Sequence, residues 1–174
     1  KLSLIEKYEK QIKTIKEKPL TKARRLTFRG YEIRGPVFSP DGKTILYSER
    51  GPVEYPSLRL ISKEGGRDEW SDRKLLDRND DMYSSWSRDG KKTVFSQSEA
   101  YRSFNLFSDL YILENPPLRL RRISQGMRLA YPDISPDGED IACIRESLGE
   151  THLGVFSLDT KTFASILGGE DGTR

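Results

Sequence analysis

Short apolar runs alternate with polar turn sequences along most of this chain, at the spacing of β-strands joined by tight connections. In the first clear example the apolar run 36–39 precedes the turn Pro40-Asp41-Gly42, and a second run follows at 44–48. Proline presets φ at the second position of such a turn, and glycine is free to take positive φ. The pattern therefore predicts an antiparallel hairpin at this point.

The same turn occurs three times along the chain. Its copies begin at Ser39, Ser87 and Ser135, so that successive copies lie 48 residues apart. Each copy follows a bulky apolar residue; these residues are Phe38, Trp86 and Ile134. We expect the Trp86 ring to lie in the core. A fixed period of this length indicates a repeat architecture.

Each repeat contains four candidate strands. Along the chain they are 36–39, 44–48, 58–61 and 73–76; 84–87, 93–96, 110–113 and 120–123; and 132–135, 140–144, 153–156 and 164–167. Four short strands in a period of about 40–50 residues are typical of a β-propeller blade. A β-sandwich is the alternative, but it gives no reason for one turn sequence to recur at one spacing. The predicted fold class is all-β, with about three four-stranded antiparallel blades.

The repeated pattern Phe/Trp-Ser-Pro-Asp-Gly-Lys-x-Ile-x-Tyr resembles the PD40 (WD40-like) repeat of TolB-type β-propellers, over about residues 22–169. Arg88 replaces the turn proline in the second copy, Ser84 stands where the other copies have proline, and Cys143 replaces an aromatic residue. The resemblance implies a propeller. It says less about activity, because one fold hosts many functions.

The chain divides into a short first segment and a partial propeller. Residues 1–18 predict an amphipathic linker helix, since Ser3 and Glu6 have capping-box spacing and Pro19 ends the element. The partial propeller covers 19–174, with blades at about 31–78, 79–126 and 127–169. Residues 22–30 are interpreted as a closing strand or as the last strand of a preceding blade.

Three blades are too few to close a ring, because propellers typically have four to eight. We expect either a piece of a longer protein or two copies that together form a ring of about six blades. Open blade edges predict self-association of the isolated chain.

Composition excludes several classes of partner. The 174 residues have a formal net charge of +3 and 33% charged residues, with lysine and arginine spread along the chain, which argues against nucleic-acid binding. We expect no transmembrane segment, because no apolar run approaches the roughly 18 residues that a span needs. The single cysteine, Cys143, excludes an internal disulfide and is expected as a small core residue.

Candidate catalytic chemistry is sparse. His152 is the one histidine, and the sequence contains neither a Gly-x-Ser-x-Gly elbow nor a glycine-rich phosphate loop. The acidic residues Asp77, Asp80 and Asp81 could hold a calcium ion, although Met82 stands where a calcium loop needs glycine. We therefore expect no enzymatic activity within this chain and no cofactor apart from that calcium alternative.

The candidate binding residues come from connections that share one face of a propeller. These connections join successive blades or join the second and third strands of one blade, and aromatic residues and arginine there are typical of binding hot spots. Residues 99–109 read as an unusually long loop. The candidates are Arg34, Tyr55, Tyr83, Tyr101, Arg102, Phe104, Phe107, Tyr131 and Arg145. Tyr83 and Tyr131 are equivalent in successive repeats, where they either converge near the channel or pack blade against blade.

Two functions remain open. Resemblance to TolB implies a non-catalytic module in the bacterial envelope, periplasmic or extracellular, that binds a protein or peptide at the channel mouth. The alternative is an accessory propeller of a larger protease, with a zinc metallopeptidase upstream or a serine peptidase downstream. The flanking sequence would discriminate between them, through a His-Glu-x-x-His or a Gly-x-Ser-x-Gly motif.

Overall fold

A computed structural model describes residues 24–28, 32–66, 72–78, 83–102, 104–114, 116–147 and 149–167. Within these ranges the chain is all-β, with twelve strands in three four-stranded antiparallel sheets. Each sheet is a simple meander, in which consecutive strands are hydrogen-bonded neighbours. The helix predicted over 1–18 lies outside the described residues.

The strand bounds follow the predicted repeats closely. The first sheet contains β1 (Glu32–Phe38), β2 (Thr44–Arg50), β3 (Ser57–Ser62) and β4 (Arg73–Asp77). The second contains β5 (Ser84–Trp86), β6 (Lys92–Tyr101), β7 (Asn105–Glu114) and β8 (Arg119–Arg122). The third contains β9 (Leu129–Ile134), β10 (Asp140–Ser147), β11 (Glu150–Ser157) and β12 (Phe163–Leu167). We refer to these sheets as blades 1, 2 and 3.

The recurring turn joins the first two strands of every blade and is held the same way each time. In blade 1 the Ser39 hydroxyl donates to Asp41 Oδ1 at 2.6 Å, and the Lys43 N–H donates to the same oxygen at 3.0 Å. Blades 2 and 3 repeat both bonds at Asp89 and Asp137. These bonds lower the pKa of all three aspartates, and the bond from the serine hydroxyl has the largest effect. The turn aspartates are therefore structural.

The blades pack side by side around two apolar clusters. The cluster between blades 1 and 2 contains Leu46, Leu58, Phe95, Tyr111 and Leu113. The cluster between blades 2 and 3 contains Val94, Leu110, Ile112, Ile123, Leu129, Ile134, Ile141, Cys143 and Phe156. The first strands β1, β5 and β9 are also neighbours. This arrangement places consecutive blades in series about a common inner side, as the repeats predicted.

The bulky residue before each turn is not equally buried in the three blades. Ile134 is 7% exposed and belongs to the cluster between blades 2 and 3, whereas Trp86 is half-buried against the cluster between blades 1 and 2. Phe38 is 62% exposed. The prediction of a core position for Trp86 is therefore overstated. Burial differs among the three residues because Ile134 and Trp86 pack on the preceding blade, and no described blade precedes the first.

The structure also tests the predictions for Cys143 and for the segment 22–30. Cys143 is buried as predicted, and desolvation raises the pKa of its thiol to about 12. The strand predicted over 22–30 is described only at 24–28, where the residues form no strand. There Arg24 donates to the Lys63 carbonyl at 2.7 Å, and Leu26 lies against Gly65. This segment therefore contacts the turn that follows β3.

Candidate functional site

One end of all three blades collects the candidate residues. Because the strands are antiparallel, the start of each first strand, the hairpin between the second and third strands, and the end of each fourth strand meet at the same end of a blade. The recurring Ser-x-Asp-Gly turns occupy the opposite end. We call the first end the hairpin face and the second the turn face.

Tyr83 and Tyr131 meet on the hairpin face. Their ring centroids lie 5.0 Å apart in an edge-to-face arrangement, and each residue is 49% exposed. Tyr83 lies directly before β5 and Tyr131 lies in β9, so the pair spans the inner strands of two neighbouring blades. The rings contact each other across the blade joint, which is the blade-against-blade packing alternative, and each ring also remains half exposed.

The backbone at Tyr131 takes an unusual conformation. Its φ is +55°, and Gly35, at the equivalent position of blade 1, has φ +57°. The strand pairing is irregular beside both residues, between Arg34 and Val37 and opposite the Ala142–Ile144 interval. A tyrosine in the left-handed region costs about 1–2 kcal/mol, which glycine avoids. Strain of this kind clusters at functional sites.

Residues 99–109 form a regular hairpin rather than the long loop expected from the sequence. Strands β6 and β7 pair continuously from Lys92↔Glu114 to Tyr101↔Asn105. At its end Tyr101 stacks on Phe107, with centroids 5.3 Å apart. Period-2 alternation is weak in this polar segment, so the residue pattern does not predict strands there. Phe104, at the tip, is 94% exposed.

Two arginines extend the aromatic pair at this hairpin. The Arg102 guanidinium lies 5.3 Å from the Tyr101 centroid, and the Arg128 guanidinium lies 4.1 Å from that of Phe107. Gly126 is needed here, because a Cβ on it would lie 2.6 Å from the Tyr101 ring. Tyr101 and Phe107 are therefore half-buried parts of the hairpin's own packing, whereas Phe104 projects from it.

The remaining candidates are separate from these groups. Arg34 lies in β1 and pairs with Glu32, and Tyr55, between β2 and β3, is 74% exposed. Arg145 lies in β10 rather than in a loop, and its guanidinium is 5.2 Å from the Phe163 centroid. The structure thus brings Tyr83 to Tyr131, and Tyr101 to Arg102 and Phe107, but it does not unite all nine residues.

Sequence reasoning missed the buried ions that hold this face. Asp109 is fully buried in β7 and accepts hydrogen bonds from Ser124 Oγ and from the Gly126 and Met127 N–H groups, at 2.9, 2.9 and 3.2 Å. Arg78 is buried directly after β4. A single charged residue beside a strand end carries no pattern by which the sequence could mark it as buried. Asp109 does lie within residues 99–109, which the sequence predicts as a loop, but nothing there indicates that it is buried.

The described ranges contain neither a cluster of metal-ligating side chains nor a membrane-spanning helix. There, no three histidine, cysteine, aspartate or glutamate side chains come together as metal ligands. Asp77 pairs with Lys74, while Asp80 and Asp81 lie outside the described residues. Within the same ranges no helix is long and apolar enough to cross a membrane. His152 is buried, with Nε2 3.4 Å from Glu150 Oε2.

Comparison with known proteins identifies the fold. No family model and no curated protein matches the chain. Among solved structures it is similar to a TolB from Agrobacterium tumefaciens, with TM-score 0.55 and 19% identity over 83% of this chain and 65% of that one. It is also similar to the β-propeller domain of the trilobed protease from Pyrococcus furiosus, with TM-score 0.57 and 12% identity over 81% and 43%.

A third solved structure, of a nidogen/laminin complex, matches with TM-score 0.59 and 11% identity, over 80% of this chain and 49% of that one. The chain thus spans less than two thirds of the length of each of these structures. With the three sheets described above, these similarities show that the described residues have the β-propeller fold and form three blades of it.

Proposed function

We propose that this three-blade propeller segment is a non-catalytic module that binds a protein or peptide partner through its hairpin face. The observation that carries the proposal is the Tyr83–Tyr131 pair, half exposed at the inner end of two blades and built on a strained Tyr131 backbone. Tyrosines supply large amphipathic contact area at interfaces. The exposed Phe104 at the tip of the β6–β7 hairpin adds a second apolar contact point on the same face.

Structural similarity supports a binding role at the level of the fold. The similar structures include a TolB and the propeller of a nidogen/laminin complex, and the second of these is a complex between proteins. The envelope location implied by the resemblance belongs to this proposal, as does the absence of catalysis. A channel mouth lined by tyrosines suits a short peptide segment, since backbone and side chains can both contact the rings.

Selection from a displayed random-peptide library tests the proposal. The full chain is immobilised, enriched peptides are synthesised, and their Kd values are measured for the wild type and for Tyr131→Ala and Phe104→Ala. We expect each variant to weaken binding by about tenfold, which corresponds to one hot-spot contact of about 1.4 kcal/mol. Phe38→Ala is the matched control, because Phe38 is also an exposed phenylalanine but lies at the turn face.

Two results would contradict the proposal. One is a library that yields no saturable binder. The other is a set of binders whose affinity falls as much for Phe38→Ala as for Phe104→Ala, since binding would then be unrelated to the hairpin face. Thermal denaturation of each variant separates lost contacts from lost folding.

A second candidate function is an accessory propeller of a larger protease, which gates or positions substrate. The similarity to the propeller domain of the trilobed protease favours it. The gene's flanking sequence tests it directly. A His-Glu-x-x-His motif upstream or a Gly-x-Ser-x-Gly motif downstream would support the protease reading, and propeller repeats without either would count against it.

A further inference from the structure

A groove of about 540 Å³ separates the long hairpins of blades 2 and 3 on the hairpin face. Leu106, Phe107 and Ser108 of β7 line it from blade 2, and Glu146, Glu150 and Thr151 line it from blade 3. Arg128, from the connection between the blades, also lines it. None of these residues except Phe107 belonged to the candidates taken from the sequence.

Arg128 presents a positive group in this groove and has no ion-pair partner among the described residues. Its guanidinium is half-buried and stacks on the Phe107 ring at 4.1 Å. Among the described residues no carboxylate forms a salt bridge with it. Stacking uses the face of the guanidinium and leaves the N–H groups on its edge to bind a ligand. Such a fork suits a carboxylate.

The position of Arg128 is fixed by the buried Asp109. That carboxylate holds the Gly126 and Met127 N–H groups, and the Arg128 carbonyl then accepts a hydrogen bond from the Glu146 N–H at 3.0 Å. The φ of Arg128 is +58°, a left-handed conformation that is strained for a residue with a Cβ. The connection is thus tied to both blades, and the guanidinium is ordered before any ligand arrives.

The blade 3 side of the groove carries the opposite charge. Glu146 is exposed and has no salt-bridge partner within the described part of the chain, and the Glu150 side chain is 61% exposed beside His152. Leu106, which is 74% exposed, supplies an apolar contact from blade 2. The groove therefore offers one cation, two carboxylates and an exposed leucine to a single ligand.

We propose that this groove binds an extended peptide that carries an acidic and a basic residue around an apolar one. The acidic side chain binds Arg128, the basic side chain binds Glu146 and Glu150, and the apolar side chain packs on Leu106. This inference rests on the proposed function and specifies the partner's chemistry at a site distinct from the Tyr83–Tyr131 pair. Charge complementarity of this kind selects among partners more than it adds affinity.

Four acetylated, amidated tetrapeptides test the charge assignment by amide NMR titration of the full chain. They are Lys-Leu-Ser-Glu with both charges, Gln-Leu-Ser-Glu with the acid only, Lys-Leu-Ser-Gln with the base only, and Gln-Leu-Ser-Gln with neither; the reversed sequences cover the other orientation. We expect shifts at Phe107 and Thr151, and each charge to tighten Kd by about three- to tenfold.

Two variants show which groove residues cause the tighter Kd of each charged peptide. Arg128→Gln removes the advantage of the acidic peptide and leaves that of the basic peptide, whereas Glu146→Gln combined with Glu150→Gln does the reverse. Arg88→Gln, an exposed arginine at the turn face, is the matched control and changes neither. Amide spectra of the free variants show whether each remains folded.

The inference is overturned if the peptides do not shift the groove amides, if all four bind alike, or if the Arg128 variant weakens all four equally. These outcomes are separable from the proposed function. If library peptides depend on Tyr131 but no tetrapeptide binds the groove, the inference about the groove is wrong and the proposed function stands. If tetrapeptides bind the groove but Tyr131→Ala affects no library binder, the proposed role of the tyrosine pair is wrong and the inference about the groove stands.

Discussion

Each of the two joints between neighbouring blades is held by a buried ion. In one joint the ion lies in the connection between the blades, and in the other it lies in a strand. Between blades 1 and 2 it is Arg78, in the connection, which donates to Ser48 Oγ at 2.9 Å and to the Ser96 carbonyl at 2.6 Å. Between blades 2 and 3 it is Asp109, in strand β7, which binds the connection's N–H groups.

The difference shows that the repeats specify blades more strictly than joints. The Ser-x-Asp-Gly turn is made with the same hydrogen bonds three times, whereas each connection is anchored by different chemistry. Arg78 also lies 5.0 Å from the Phe95 centroid, so that it packs on the apolar cluster it crosses. Because the connections form the hairpin face, their anchors determine how firmly the proposed recognition surface is held.

The largest effect is expected for Asp109→Ala. Its removal leaves Arg122 and two loop N–H groups without their shared acceptor, and breaking a buried ion pair typically costs about 3–5 kcal/mol. Urea denaturation measures the loss, with the exposed Asp159→Ala as the control. A cost below about 1 kcal/mol would mean that the carboxylate does not anchor the joint.

A smaller loss, of about 2–3 kcal/mol, is expected for Arg78→Ala. Ser48 Oγ and the Ser96 carbonyl lose their donor, and both of these acceptors are uncharged. Arg88→Ala, at an exposed turn, is the matched control in the same urea denaturation experiment. If Arg78→Ala costs more than Asp109→Ala, the proposed ranking of the two joints is wrong.

The strained backbone at the inner end of blade 3 gives a third, smaller difference. We expect Tyr131→Gly to be more stable than Tyr131→Ala by about 1 kcal/mol, because only glycine takes φ +55° without strain. Gly35→Ala should cost a similar amount, since its φ is +57°. Paired thermal melts measure both, and an alanine variant as stable as the glycine variant would remove the argument from strain.

The smallest effect concerns the turns, which do not differ between blades. The pKa of Asp41, Asp89 and Asp137 is lowered in the folded chain, so these carboxylates stabilise it above their ordinary pKa of 3.8. That contribution is lost as the pH falls below 3.8 and through the folded pKa values. The Asn variant at all three positions should show a shallower fall in melting temperature on acidification than the wild type.

Most of the fold follows from local sequence, and much of the site does not. The turn residues and apolar runs predict every strand, because turn chemistry and strand periodicity are local. The burial of Trp86 is overestimated, because it depends on how the preceding blade packs against that residue. That is information about neighbours, which one repeat does not contain.

The candidate site shows the same division. Tyr83 and Tyr131 could be predicted to lie close together, because equivalent positions of adjacent repeats converge at the inner ends of the blades. The outer part of the β6–β7 hairpin is predicted as a loop instead, since its polar residues hide the strand alternation. Arg128 and Asp109 were not identified, because an isolated ion becomes significant only when packing shows what surrounds it.

The most direct test of the serial arrangement of blades compares one repeat position three times. The free energy of unfolding is measured for Ile134→Ala, Trp86→Ala and Phe38→Ala, which replace equivalent residues that are 7% exposed, half-buried and 62% exposed. We expect losses of about 2–4 kcal/mol for Ile134→Ala, less for Trp86→Ala, and under about 1 kcal/mol for Phe38→Ala. A Phe38→Ala loss equal to that of Ile134→Ala would contradict the rule that each of these residues is buried by the preceding blade, and with it the serial arrangement.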